Sequence, residues 1–174
     1  MNSKGEYALY DQGNLIGWSA VDYVDGVRVI VDIKSSLLQM KEAAKKEGVI
    51  LLLAAGLRTY EEQYNLRVQN VIDKTKKGDE KYLKTADSKL FNPATGKPGW
   101  SNHQDGKAYD FTTKDAKGNL ITGPKAPYTW LVKNAHRFGF VRTVRSERWH
   151  WEFLPGVGMF DYVPKNDPTW DGLV

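Results

Sequence analysis

The sequence predicts an α+β fold: a single, mostly antiparallel sheet with flanking helices. Three observations point to it. Segments with helical periodicity and short apolar segments of strand length are segregated, with few strand–helix–strand crossovers. Glycines stand where helices should stop, at Gly48 and Gly139. The 174 residues, 41% hydrophobic and 26% charged, suit one domain with a substantial core. Residues 1–174 are therefore expected to form a single domain, with 1–32 as an arm and 155–174 as a tail packed on it.

The arm mixes Gly, Asp and aromatics and reads as irregular, with one short strand around Val27–Val31. A first helix is expected over Ile33–Glu47, capped by Asp32 or Ser35 and closed by Gly48. Glu42 and Lys46 sit four apart on it, and Leu37, Leu38, Met40 and Ala44 give it an apolar side. Val49–Ala55 is a continuous apolar run and predicts a buried central strand. Gly56-Leu57-Arg58 then turns into a second helix, where Thr59 and Glu62 make a capping box. Tyr60, Tyr64, Val68, Val71 and Ile72 recur at helical spacing and predict its core face.

Residues 74–100 read as a long surface loop with a short helix near Glu80–Thr85. Lys107–Thr112 predicts a strand, Asp115–Gly118 a turn and Asn119–Thr122 a short return strand. Pro127 opens a third helix to about Phe138, with Trp130, Leu131, Val132 and Ala135 for the core. Phe140–Val144 and Trp149–Phe153 predict two strands joined at Arg145–Ser146, and the tail after Pro155 is expected to wrap the surface.

Composition excludes several chemistries. No cysteine is present, so disulfides, thiolate nucleophiles and cysteine-ligated zinc are ruled out. The net charge of +4 is mild and the lysines are scattered, which argues against nucleic acid as partner. The longest apolar run is far too short to span a bilayer, so no membrane insertion is expected. The first residues lack the apolar centre of a secretory signal.

Two segments carry the chemistry. Ser101-Asn102-His103-Gln104-Asp105-Gly106-Lys107-Ala108-Tyr109-Asp110 and Glu147-Arg148-Trp149-His150-Trp151-Glu152 hold two of the three histidines, several carboxylates and a turn glycine. A catalytic zinc site needs such parts: nitrogen or oxygen ligands, an open position for water and a nearby carboxylate. On a straight strand His103 and Asp110 would point to opposite faces, so a turn at Gly106 is needed to bring them to one metal. His150 and Glu152 share one strand face, and Trp149 and Trp151 share the other.

The order of these residues resembles the LAS-type zinc peptidases that cut peptidoglycan stem peptides. That group includes vancomycin-resistance D,D-carboxypeptidases and dipeptidases and phage L-alanyl-D-glutamate endolysins. Their first pattern, Ser-x-His-x-x-Gly-x-Ala-x-Asp, is met by Ser101, His103, Gly106, Ala108 and Asp110. Their second, Glu-x-Trp-His, is met by Glu147, Trp149 and His150, and their Arg, Ser/Thr and Gln element by Arg58, Thr59 and Gln63. The resemblance runs from about Lys34 to Glu152.

The resemblance implies a hedgehog/D-Ala-D-Ala-peptidase-like fold, zinc held by His103, Asp110 and His150, and Glu147 as general base. It also implies Arg58 as the cation that binds a substrate carbonyl and steadies the oxyanion, and Ser101 and Gln63 as substrate-binding. Asp105 is a competing ligand, and Glu152 is either an orienting partner of a ligand or a surface charge. Arg58 could instead pair with Glu61 or Glu62, and His136 has no role.

The expected activity is that of a monomeric stem-peptide hydrolase, favoured as an L-alanyl-D-glutamate endopeptidase made in a host cytoplasm without a signal and acting on the cell wall. A protein from which a signal was removed would be periplasmic or extracellular. A D-alanyl-D-alanine carboxypeptidase is the alternative. A zinc-stabilised binding module, as in hedgehog domains, is a third reading, and it would have no need of Glu147.

Overall fold

The structure is a computed structural model that describes residues 1–75, 95–114, 120–121, 127–170, 172 and 174. The N-terminal residues are more ordered than their composition suggests. Strands β1 (Tyr7–Asp11) and β2 (Asn14–Ser19) form one antiparallel hairpin, and β3 (Val21–Val24) and β4 (Val27–Ile30) form another. The expected irregular arm is thus two hairpins, each closed by a two-residue turn. Gln12 and Gly13 have φ of 48° and 83°, and Asp25 and Gly26 have 54° and 80°. Two positive φ values in succession match the right-handed twist of paired strands, and Asp-Gly is a favoured sequence for such a turn.

The chain divides into two compact units. The first comprises Met1–Ala20 and Arg58–Gly106. It holds the β1–β2 hairpin and α2 (Tyr60–Thr75). The capping box closes the start of α2: the Thr59 N–H donates to Glu62 Oε2 at 2.9 Å, and the Glu62 N–H to Thr59 Oγ1 at 3.1 Å. The expected aromatic core face is not the buried one. Tyr60 and Tyr64 are exposed, whereas Gln63 and Arg67 are buried. The reason is the neighbour: the inner face of α2 meets the backbone of residues 95 and 96. Gln63 Nε2 donates to the Gly96 carbonyl at 2.7 Å, Arg67 to the Thr95 carbonyl, and Asn70 Nδ2 to Thr95 Oγ1 at 2.7 Å. Buried carbonyls demand donors, and a polar helix face supplies them. Val68 is half-buried, and the Val71 and Ile72 side chains lie outside the described residues.

The second unit comprises Val21–Leu57 and Lys107–Val174. Helix α1 (Val31–Lys46) starts two residues earlier than expected and has no side-chain cap; Asp32 instead lies in its first turn, where a carboxylate favours the helix dipole. It buries Ile33, Leu37, Met40 and Ala44, leaving Leu38 exposed. Gly48 ends it at a φ of 79°, with its N–H on the Lys45 carbonyl at 3.0 Å.

Strand β5 is only Leu52–Ala55, because the Val49 N–H is committed to the Ala44 carbonyl at 2.9 Å. It stands at the end of the strand order rather than at its centre. The order is β5, β6 (Ala108–Lys114), β9 (His150–Phe153), β8 (Phe140–Val141), with β7 (Leu120–Ile121) also pairing β6, all antiparallel. Leu51 and Leu53 are buried while Ile50 and Ala54 are exposed, the alternation of a strand with one covered face.

Helix α3 (Tyr128–Asn134) continues into a 3-10 turn, Ala135–Phe138, that Gly139 stops at a φ of 83°. Tyr109, Phe111, Phe140 and Trp151 are fully buried at the centre of this unit, with Phe111 and Phe140 edge to face at 6.0 Å. The Tyr109 hydroxyl accepts the Ile30 N–H at 3.3 Å. The tail does more than wrap the surface, since Val163 and Trp170 are buried. The short helix expected near Glu80–Thr85 and the turn at Asp115–Gly118 lie outside the described residues. No helix among the described residues is long and apolar enough to cross a membrane.

Candidate metal centre

The second unit places three acidic side chains around one imidazole. Asp110 on β6 and His150 on β9 are register partners, so both side chains rise from the same face of the sheet. Tyr109 and Trp151, also partners, point the other way into the core and lock the register. His150 Nδ1 lies 3.1 Å from Asp110 Oδ1 and 3.7 Å from Glu147 Oε2. On the opposite side of the ring, Nε2 lies 3.3 Å from Glu152 Oε1. Glu152 is buried and also accepts a hydrogen bond from the Thr143 hydroxyl.

Burial alone would depress the His150 pKa. The hydrogen bonds and negative charges of Asp110 and Glu152 more than offset this and raise it from 6.5 to about 9. Without a metal the ring is therefore a cation held between carboxylates. The Nε2–Glu152 contact fixes the ring and directs Nδ1 toward Asp110 and Glu147. A carboxylate behind a histidine ligand is the usual second partner in zinc sites.

Glu147 sits at the end of a segment without helix or strand. Its N–H donates to the Val144 carbonyl at 3.3 Å, and its carbonyl accepts the His150 N–H at 3.3 Å. Its side chain is half-exposed. Trp149 is exposed, not paired with Trp151 in the core, because it belongs to the turn before β9.

The first unit holds the other motif. His103 is buried in a turn segment that ends on Gly106, whose φ of 81° lies in the left-handed region that glycine adopts freely. The His103 carbonyl accepts the Arg58 N–H at 3.0 Å, which ties the two motifs together through backbone. Arg58 Nη1 donates to Gln63 Oε1 at 2.7 Å. Gln63 thus bridges Arg58 to the Gly96 carbonyl and is itself buried. Gln104 braces the same turn: its N–H donates to the Ser101 carbonyl at 2.8 Å and its Oε1 accepts the Gly99 N–H at 2.7 Å. Ser101 is half-buried.

Asp110 and His150 of the second unit supply a carboxylate and an imidazole, and His103 of the first unit supplies a second imidazole. Two imidazoles and a carboxylate form a donor set that fits zinc. Glu152 is buried against His150 and is not a surface charge. Thr143 was missed altogether, and no local pattern marks it.

These features define a chain of the zinc-peptidase fold. A family model described as VanY, D-alanyl-D-alanine carboxypeptidase, matches residues 27–156, and the chain belongs to this family. It is 31% identical over 140 residues to a D-alanyl-D-alanine carboxypeptidase of Enterococcus faecalis, which covers 75% of this chain and 50% of that protein. The chain spans about half the length of the curated relatives it matches. Among solved structures it is similar to the vancomycin-resistance D,D-pentapeptidase VanY from the VanB-type cassette, a mutant in complex with Zn(II), with a TM-score of 0.64 and 28% identity over 87% of both chains. It is also similar to VanYB in complex with D-alanine-D-alanine, with a TM-score of 0.61 and 27% identity over 87% of this chain and 86% of that one.

Proposed function

We propose that this chain is a zinc-dependent peptidase of peptidoglycan stem peptides that releases the terminal D-alanine. The observation that carries the reading is Glu147 beside the Asp110–His150 pair, at 3.7 Å from His150 Nδ1. A binding module would need the ligands but not this carboxylate. Family membership and the Zn(II) and D-alanine-D-alanine complexes of the two similar structures support the same reading.

His103, Asp110 and His150 would hold the metal. Zinc, when bound, supplies Lewis acidity and a water acidic enough to lose its proton near neutral pH. Glu147 Oε2 takes the proton from the attacking water and hands it to the leaving amine. Arg58, held by Gln63, binds the substrate carbonyl and steadies the negative charge that develops on it. Gln63 therefore acts through Arg58, while Ser101 hydrogen-bonds substrate. The chain acts on the cell wall as a monomer.

The bond is decided by digesting a stem pentapeptide with the zinc-loaded protein and weighing the fragments. Loss of one D-alanine is the expected result. Release of L-alanine from the other end would establish the L-alanyl-D-glutamate endopeptidase expected from the sequence and overturn the carboxypeptidase reading. Absence of any cleavage would leave the binding-module reading.

A further inference from the structure

The segment 142–149 joins β8 to β9, contains no helix or strand, and carries Glu147. What holds it lies twenty residues downstream in the tail, beyond residue 156 where the family match ends. Arg142 is 1% exposed, and four of the five N–H groups of its guanidinium donate hydrogen bonds. Nε donates to the Val144 carbonyl at 3.3 Å and Nη1 to the Thr169 carbonyl at 3.3 Å. Nη2 donates to the Arg145 carbonyl and to Thr169 Oγ1, the latter at 3.1 Å. The group also lies over the Trp170 ring, 4.4 Å from its centroid.

The tail end is itself fixed. Asp167 Oδ1 accepts the Thr169 N–H at 2.9 Å and the Thr169 hydroxyl at 2.6 Å, and Asp167 Oδ2 pairs with Arg145 Nε at 3.1 Å. Trp170 is buried and donates from Nε1 to the Pro164 carbonyl at 2.9 Å. The Val144 carbonyl receives both Arg142 Nε and the Glu147 N–H. One oxygen thus links the tail-bound guanidinium to the backbone of Glu147.

We propose that residues 164–170 are a clasp which, through Arg142, holds Glu147 at its working distance from His150. Arg142 and Thr169 are then positioning residues for the reaction, although neither touches substrate. The catalytic consequence rests on the proposed function; the mechanical part does not. A buried cation bonded to carbonyls of two segments fixes both, because moving either strands a charged donor away from water.

The test uses the full, zinc-loaded chain with two variants. Arg142→Lys keeps the charge and loses the planar fork. Thr169→Val keeps the shape, loses only the hydroxyl, and decides the matter if the lysine variant does not fold. Three quantities are read: amide hydrogen exchange of the 143–149 peptide, zinc content, and kcat and KM on a stem pentapeptide. The clasp predicts faster exchange confined to 143–149 and unchanged zinc. It also predicts a kcat lower by about tenfold to about 10²-fold, with KM unchanged. Unchanged exchange and kcat in Thr169→Val overturn it, as does a loss of activity matched by loss of zinc. If the parent chain cleaves no stem peptide, the functional reading fails alone. Exchange then decides the clasp, with faster exchange supporting it and unchanged exchange overturning it.

Discussion

Asp110 and His150 face each other across the β6–β9 pairing as register partners, with Oδ1 and Nδ1 3.1 Å apart. The pairing that places them also buries Tyr109 against Trp151 on the other face, so the geometry of the site is anchored by the core. A one-residue slip of β9 would turn His150 to the opposite face of the sheet.

Zinc affinity should depend on pH with a known sign. In the metal-free chain His150 keeps its proton up to about pH 9, and zinc must displace it. Affinity should therefore rise about tenfold per unit as pH increases, then level above about pH 9. Stability of the metal-free chain runs the opposite way. A pKa raised from 6.5 to about 9 contributes stability that is full below 6.5 and lost as pH climbs through 9. Chelator competition and melting curves across this range check both, and a flat affinity would contradict the assignment of His150 as ligand.

Glu152→Gln should weaken zinc binding by about 10- to 100-fold, because the carboxylate behind Nε2 both fixes the ring and makes it more basic. The same substitution should lower the His150 pKa, readable by NMR titration of the metal-free protein. Unchanged affinity would mean that Asp110 suffices to orient the ring.

Gly56→Ala tests the packing that precedes Arg58. A Cβ there would lie 2.4 Å from the Arg28 carbonyl oxygen and 2.7 Å from Val27 Cγ1, both too close for any contact. Relief requires backbone movement, costing about 1–3 kcal/mol. The melting temperature should fall by several degrees, about 2–4 °C for each kcal/mol in a chain of this size. An unchanged melting temperature would show that β4 yields freely at this point.

What could be read in advance depended on how local the cause was. Thr59 and Glu62 announce the start of α2 because the cap is complete within four residues. His103, Asp110, Glu147 and His150 stood out because metal chemistry restricts residue type and order. The Asp25–Gly26 hairpin is equally local, and Asp-Gly between apolar residues is its signal. The buried face of α2 had no such signal. Gln63 and Arg67 are inside because they serve carbonyls at residues 95 and 96, about thirty positions away. The partner of Arg142 in the tail and that of Glu152 at Thr143 are likewise set by tertiary contact.

The most direct test of the account is hydrolysis of a stem pentapeptide by Glu147→Gln and the parent chain, compared at equal zinc occupancy. The substitution keeps size and removes only the carboxylate that lies 3.7 Å from His150 Nδ1. Loss of a general base predicts a rate lower by about 10²- to 10⁴-fold, with zinc content and melting temperature unchanged. Equal rates in the two proteins would contradict the assignment of Glu147, and with it the mechanism proposed for this site.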